Sequence, residues 1–190
     1  MLRHARKLTE MPIWLHAGAT AVAFGVFQAV RITLDASYAA SNHPVDYATG
    51  QTTFDADRIK GFYAVMEQAG TLDIYVRTQV IDMGFLTMIG VFGLLLGTLV
   101  ARLGAPGSWA RGAGFGAAVA AVFGALCDAS ENAVSFIMLA DPQGFADWLA
   151  LPYSGFAVVK FALITLAMAL VLAALGLGLA GRITTRLSKG

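Results

Sequence analysis

Two carboxylates and two neutral polar side chains share one face of an apolar segment in the second half of the chain. Asp128, Glu131, Asn132 and Ser135 are three and four residues apart, which places them in one narrow arc of a helix. An Asp at the centre of a membrane helix costs about 3 kcal/mol, so two such groups require a partner, a proton or water. Neighbouring carboxylates in a low dielectric resist double ionisation. The arc is therefore a candidate for proton exchange, and Asp82 is a further catalytic candidate.

Other segments supply polar groups that could face this arc. Tyr75, Gln79 and Asp82 recur at helical spacing, while Arg31 and Lys160 provide positive charge in two more apolar segments. The two cations leave one negative charge uncompensated against the three carboxylates. Arg77 joining the network, an entering cation or cationic ligand, or a proton on one carboxylate would balance the site. The structural alternative is an ion network that only fixes helix register. The predicted ligand-binding set is Arg31, Tyr75, Arg77, Gln79, Asp82, Asp128, Glu131, Asn132 and Lys160.

The composition of the chain indicates an integral membrane protein. Of 190 residues, 57% are hydrophobic and 13% are charged, whereas soluble domains carry roughly 25% charged residues. The formal net charge of +1 argues against a nucleic-acid partner, which requires a basic face. One cysteine and three histidines without metal-ligand spacing predict neither a metal site nor a cofactor. We expect one domain over residues 1–190.

Four apolar segments are long enough to cross a bilayer, at about residues 13–32, 80–100, 113–139 and 153–180. They predict an all-α fold, a membrane four-helix bundle with an outer loop over residues 35–77. By the positive-inside rule, both termini are predicted to be cytoplasmic. The basic residues behind this prediction are Arg3, Arg6, Lys7, Arg102, Arg111, Arg182, Arg186 and Lys189. A high Ala, Gly and Arg content fits a bacterial source, whose inner membrane is the predicted location.

The outer loop is predicted to contain an amphipathic helix. Thr52 is placed to cap its start and Gly70 to end it, and Thr71 is placed to cap the following helix. The expected apolar stripe is Ile59, Phe62, Met66 and Ala69. The helix is predicted either to act as a lid over the polar site or to seal the bundle as an interfacial helix.

Small residues recur every four positions in the third apolar segment, at Gly112, Gly116, Ala120 and Gly124. Gly93 and Gly97 repeat this spacing in the second segment. Small residues let membrane helices approach closely, so both rows predict tight helix packing.

Two motifs carry a resemblance to a known family. Asp128 to Asn132 reads Asp-x-x-Glu-Asn, and residues 75–79 read Tyr-x-Arg-x-Gln, followed by Asp82. On these motifs the chain resembles a family of small four-helix bacterial inner-membrane proteins with a long outer loop. Val80 and Ile81 stand where family members often have a proline. The resemblance implies a four-helix fold and a polar cluster, without a particular reaction.

Three functions follow from these features, and whether the protein is an enzyme stays open. The leading hypothesis is that the protein binds a small amphipathic or lipid-like molecule. Arg31 or Lys160 would hold an anionic group of this molecule. Processing or movement of the bound molecule is an extension of the same hypothesis. The first alternative is a non-catalytic accessory subunit that docks a membrane-protein partner. The second is proton-coupled permeation, for which four spans would require a homo-oligomer. Membrane lipids are expected contacts in each case.

Overall fold

The computed structural model describes residue 5 and residues 7–187, apart from the side chains of residues 182 and 184–187. The described chain contains six α-helices and one short 3₁₀ helix. The α-helices are α1 (Ile13–Ala40), α2 (Tyr47–Gln51), α3 (Ala56–Gln68), α4 (Leu72–Ala101), α5 (Trp109–Ala140) and α6 (Ala150–Leu187), with the 3₁₀ helix at Asp147–Leu149. Four of these elements are long and apolar enough to cross a membrane. The predicted all-α fold with four long apolar helices is confirmed, and it is that of a multi-pass membrane protein.

The long helices extend beyond the apolar segments that predicted them. α1 continues to Ala40 instead of ending near residue 32, and α4 begins at Leu72, directly after the predicted cap residue Thr71 and before the apolar segment that starts near residue 80. Hydropathy marks only the part of a helix that lies in hydrocarbon, whereas the backbone hydrogen bonds continue through polar residues. The connection between α1 and α4 is consequently residues 41–71, which is shorter than the predicted loop.

The described residues group into two compact units. Unit 1 comprises the described parts of residues 1–26, 88–124 and 162–190, and unit 2 comprises residues 27–87 and 125–161. Each long helix contributes residues to both units. All the residues of the predicted polar site belong to unit 2.

Unit 1 is packed through small residues on α4 and α5. A Cβ added at Gly97 would lie 2.5 Å from the backbone nitrogen of Ala118, and one at Gly114 would lie 2.6 Å from the Cα of Ala101. The expected close approach at Gly97 is therefore present. On α5, however, the tight contact involves Gly114 and not Gly112, which has open space around it. The contact face is offset from the predicted row because the spacing of small residues cannot show which row meets α4.

His16 is fully buried in unit 1 with hydrogen bonds on both ring nitrogens. Its Nε2 lies 3.1 Å from the Leu95 carbonyl oxygen and 3.2 Å from the Thr98 hydroxyl. Arg102 donates to Nδ1 at 3.4 Å and to the Met11 carbonyl at 2.7 Å. Because a guanidinium only donates, Nδ1 accepts and Nε2 carries the hydrogen. His16 is thus a neutral histidine that ties α1 to α4.

The connection at residues 41–71 in unit 2 contains two helices where the sequence predicted one. Asp46 caps α2 by accepting from the Thr49 amide at 3.0 Å, and Thr52 ends that helix. Asp55 then caps α3 by accepting from the Arg58 amide at 3.2 Å. The predicted cap at Thr52 is therefore wrong. A carboxylate next to the first helical residue is a strong N-cap, and it shifts the start of α3 by three residues.

The end of α3 confirms the expectation for Gly70. Gly70 has a φ of 66°, its amide donates to Glu67 at 3.0 Å, and the Thr71 amide donates to Met66 at 2.8 Å. These two bonds form a Schellman motif, which favours glycine. Thr71 directly precedes α4, as predicted, but its side chain does not cap that helix. Its hydroxyl instead donates to the Ser41 carbonyl at 2.6 Å, which closes the connection on itself.

The buried face of α3 differs from the predicted stripe at two positions. Ile59, Tyr63 and Met66 are buried, whereas Ala69 is exposed. The three buried residues have the spacing i, i+4, i+7 and lie on nearly the same arc of the helix as the predicted stripe, with Tyr63 in place of Phe62. This face packs in a core with side chains of α4, α5, the loop after α5, the 3₁₀ helix and α6, which are Tyr75, Met138, Phe145, Leu149, Ala150 and Tyr153.

Gly97→Ala is expected to destabilise the protein by about 1–3 kcal/mol, because its methyl group would overlap the Ala118 backbone. The measurement is thermal unfolding in detergent. Gly18→Ala is the matched control, since Gly18 is exposed with nothing within 4 Å. Equal melting temperatures for the two variants would contradict the proposed close contact.

The burial of His43 leads us to expect that the protein loses stability in mild acid. Burial is the main cause that lowers the pKa of His43, against an opposing rise from its bond to Val45 and from the Asp46 charge. A lowered pKa in the folded state favours the neutral ring. This contribution to the free energy of unfolding is complete above the unfolded-state pKa of ~6.5 and is lost as the pH drops from there through the folded-state pKa. Melting temperatures between pH 5 and 7.5 should decline more steeply in the wild type than in His43→Gln. Parallel profiles would exclude His43 as the cause.

Candidate functional site

Lys160 of α6 is the centre of a buried polar cluster in unit 2. Its Nζ lies 2.6 Å from Glu131 Oε2, 3.0 Å from Asp128 Oδ1 and 3.1 Å from Gln51 Oε1. The ammonium has three donors and they meet three acceptors. Lys160 is 4% exposed and Glu131 is fully buried, so water does not screen these ion pairs as it screens surface pairs.

A second pair extends the cluster to α4. Asn132 is fully buried, and its Nδ2 donates to Asp82 Oδ2 at 2.7 Å. Asp82 is itself 4% exposed. The α4 helix is linked to α1 nearby, where the hydroxyls of Ser37 and Thr78 are 2.7 Å apart. The carboxylate cluster, as we name it, comprises Gln51, Asp82, Asp128, Glu131, Asn132 and Lys160.

The helices place the charged members of the cluster far from the ends of their elements. Asp128 lies twelve residues before the end of α5 at Ala140, which is about 18 Å along the axis. Lys160 lies ten residues after the start of α6, or about 15 Å. A helix at this depth of an apolar segment cannot expose its charges to bulk water, so they must be paired within the protein.

Among the described residues, five buried side-chain polar atoms at and around the cluster have no hydrogen-bond partner within 3.5 Å. They are Glu131 Oε1, Asn132 Oδ1, Ser135 Oγ, Tyr47 Oη and Tyr63 Oη. An unsatisfied buried group costs about 1–3 kcal/mol, and such groups are rare in native proteins unless water or a ligand binds them. Three of the five lie on one arc of α5, which is the arc predicted from the sequence.

Two tyrosines of the connection face this arc. Burial raises the pKa of Tyr63, the Ser135 hydroxyl partly offsets that rise, and the Glu131 charge adds to it. Burial also raises the pKa of Tyr47, and the Asp82 charge contributes next. Both phenols are therefore neutral hydroxyls at physiological pH. They bring hydrogen-bonding groups of α2 and α3 toward carboxylates of α4 and α5.

The structure brings together most of the predicted site but not its second cation. Arg31 is exposed and pairs with Asp35 at 3.6 Å, so it does not reach the carboxylates. Arg77 is also exposed. Gln79 is buried beside the cluster on α4. Tyr75 is buried in an aromatic layer with Tyr63, at a centroid distance of 6.0 Å, and contributes no bond to Lys160.

The sequence did not predict Gln51, Tyr47 and Tyr63 as site residues. All three lie in the connection, and the apolar stripe predicted there does not include them. Gln51 is 5% exposed because α2 turns it toward Lys160. Of the three, only Tyr63 could have been identified from the sequence. It lies four residues after Ile59 and three before Met66, which places it on the buried arc of α3.

Polar contacts join the connection to other segments of unit 2. Lys60 Nζ pairs with Asp147 Oδ1 at 2.6 Å, and Gln143 Nε2 donates to Glu67 Oε2 at 2.9 Å. The Phe54 amide donates to the Ser154 hydroxyl at 3.0 Å, with Phe54 in the left-handed region at a φ of 55°. A non-glycine residue there costs about 1–2 kcal/mol, which the bond to Ser154 helps to offset.

Within the part of the chain that the structure describes, no three His, Cys, Asp or Glu side chains converge as a metal site requires. The Lys160 ammonium bonds to both Asp128 and Glu131 instead. The chemistry available to the cluster is proton exchange at carboxyl groups and hydrogen bonding to a donor-bearing group.

Comparison of the chain with protein-family models, with curated proteins and with solved structures returns no match. The resemblance on the Asp-x-x-Glu-Asn and Tyr-x-Arg-x-Gln motifs therefore stays a prediction. The fold and the site define the class directly: a multi-pass membrane protein with a buried polar cluster, in which Lys160 pairs with Asp128 and Glu131 and a third carboxylate, Asp82, bonds to Asn132.

Lys160→Met is expected to destabilise the protein by about 3–5 kcal/mol at neutral pH, because two buried carboxylates would lose their counter-charge. The matched control is Lys60→Met, which removes a pair whose Asp147 side chain is 74% exposed. Exposed pairs contribute about 0.2–1 kcal/mol. Thermal and denaturant unfolding in micelles measures both, and similar losses in the two variants would contradict a central role for Lys160.

Proposed function

We propose that the protein binds the positively charged or hydroxyl-rich headgroup of a small amphipathic molecule at the carboxylate cluster. The single observation that carries this proposal is that two acceptor oxygens of the acidic cluster, Glu131 Oε1 and Asn132 Oδ1, are buried without a hydrogen-bond partner among the described residues. Processing or movement of that molecule, with proton exchange at Asp82, Asp128 or Glu131, is the extension of the same proposal.

The charge of the cluster favours a cationic or donor-rich ligand over an anionic one. With Arg31 outside the cluster, the three carboxylates exceed Lys160 by two negative charges when all are ionised. The three donors of Lys160 are occupied by Gln51, Asp128 and Glu131. No donor of that ammonium remains to hold an anionic group, so we revise the ligand expected from the sequence from anionic to cationic or neutral.

The types of the unpartnered atoms support the same choice. Glu131 Oε1 and Asn132 Oδ1 accept hydrogen bonds only, while the hydroxyls of Ser135, Tyr47 and Tyr63 either donate or accept. A primary ammonium or a polyol offers several donors to these acceptors. A purely apolar ligand would leave every one of these atoms unsatisfied.

Apolar side chains beside the cluster suit an amphipathic molecule. The core of unit 2 contains Met138 and Tyr153 next to the α3 residues Tyr63 and Met66. Since α3 covers the cluster with its buried face, a ligand can enter only if this helix moves. The proposal therefore adopts the first of the two roles predicted for the loop helix, that of a lid over the polar site. The exposed Lys60–Asp147 pair at its edge is weak enough to open.

The unpartnered atoms also separate this proposal from the two alternatives. An accessory subunit would be served best by a fully paired network, since every unsatisfied buried group costs stability. Permeation requires a polar path through the whole membrane. The described core of unit 1 is instead mostly alanine, with His16, Thr20 and Thr98 as its buried polar residues.

We propose a bacterial inner membrane as the location, with both termini in the cytoplasm. The support is the distribution of Lys7, Arg102 and Arg111 before α1 and around the start of α5. Arg3, Arg6 and Lys189 lie outside the described residues, as do the side chains of Arg182 and Arg186.

A long-chain primary amine is expected to raise the melting temperature of the purified protein, and a carboxylate of the same chain length is not. A ligand at a hundred times its Kd adds about 2.7 kcal/mol. Glu131→Gln and Tyr63→Phe should abolish the shift, because each removes a group that faces the ligand. Native mass spectrometry of the wild type should show an amine- or hydroxyl-bearing molecule that both variants lose.

Glu67→Gln is the matched control, since Glu67 is an exposed glutamate of α3 whose partner is Gln143. It should keep both the shift and the bound molecule. Equal shifts with the amine and the carboxylate, or a shift that survives in Glu131→Gln, would overturn the proposal.

A further inference from the structure

Unit 1 contains an apolar groove between α5 and α6 that the carboxylate cluster does not use. It encloses about 450 Å³. Its floor is Gly112 and Gly116, and its walls are Phe115 and Phe123 of α5 and Leu166 and Leu170 of α6. Phe123 and Leu166 are each 49% exposed. The groove is therefore open along its length to whatever surrounds these two helices.

A basic recess adjoins one end of the groove. The recess is lined by Pro106, Ser108 and Arg111 and shares Gly112 and Phe115 with the groove, so the two form one continuous depression. Among the described residues, the Arg111 guanidinium donates to Thr9 Oγ1 at 3.3 Å and lies 5.7 Å from the centre of the Phe115 ring. A guanidinium has five N–H donors, so it retains donors for a phosphate.

The dimensions of the depression match one leaflet of a bilayer. From Gly112 to Phe123 the α5 axis rises about 17 Å, close to the ~15 Å that half of a 30 Å hydrocarbon core requires. Trp109 is 88% exposed at the start of α5, and exposed tryptophans mark the headgroup level. Arg111 follows Trp109 by two residues, so it lies at the height of lipid phosphates, with the apolar groove on the hydrocarbon side.

We propose that this depression is a binding site for an anionic glycerophospholipid. One acyl chain lies in the groove over Gly112 and Gly116, and the phosphate accepts hydrogen bonds from Arg111. The positive charge of Arg111 selects an anionic lipid over a zwitterionic one, because a second, compensating cation in the headgroup weakens the net attraction. The proposal is independent of the ligand at the carboxylate cluster, since all its residues belong to unit 1.

The test uses the full chain purified in a mild detergent and mixed with equimolar phosphatidylglycerol and phosphatidylcholine of identical acyl chains. Native mass spectrometry counts the lipids that stay bound. The wild type is expected to retain at least five times more phosphatidylglycerol, about 1 kcal/mol of selectivity. Arg111→Gln should remove this preference. Gly112→Leu should reduce retention of both lipids, because its side chain would enter the groove where a Cβ meets nothing within 4 Å.

Two control variants change the same residue types outside the depression. Gly18→Leu adds a side chain at an exposed glycine of α1, and Arg58→Gln removes an exposed arginine of unit 2. Both should bind lipid as the wild type does. Thermal unfolding verifies that each variant is folded, and if Gly112→Leu is not, Arg111→Gln alone decides the result. Equal retention of the two lipids by the wild type, or an unchanged preference in Arg111→Gln, would overturn the proposal.

Discussion

The site in unit 2 depends on one ammonium group shared by three acceptors. Lys160 bonds to Asp128, Glu131 and Gln51 within 3.1 Å, and each of these groups would be costly to bury without it. The bond to Gln51 has a further consequence, because it ties α2 of the connection to α6. A single buried lysine thus stabilises the carboxylates and also helps to hold the polypeptide that covers them.

The cluster is arranged so that its cation is saturated while its anions are not. Asn132 donates a hydrogen bond from its amide nitrogen to Asp82, and its carbonyl oxygen has no partner among the described residues. The second carboxylate oxygen of Glu131 is unpartnered in the same way. A network built for stability alone would place donors on these atoms. The surplus of acceptors, together with the neutral hydroxyls of Tyr47 and Tyr63, is the physical basis for assigning the site a donor-bearing ligand.

The two units use different physical means to hold their helices. In unit 1 the contacts of Gly97 with Ala118 and of Gly114 with Ala101 rely on close backbone approach, which gives van der Waals packing where hydrophobicity gives no preference. In unit 2 the helices are joined by buried ion pairs and hydrogen bonds, and α3 adds an apolar face. Substitutions in unit 1 therefore act mainly through volume, and those in unit 2 mainly through charge and hydrogen bonding.

By itself, the sequence determined the membrane class, the four long helices and the arc of Asp128, Glu131, Asn132 and Ser135, because hydropathy and helical period are local properties of the chain. It also determined the end of α3 at Gly70, since the left-handed position there favours glycine. The tertiary structure decided which cation reaches the arc. Arg31 and Lys160 are equivalent by type and approximate depth, and only helix rotation turns Arg31 outward to Asp35 and Lys160 inward. It likewise decided the roles of Gln51, Tyr47 and Tyr63, because the path of a connection depends on non-local contacts that no periodicity records.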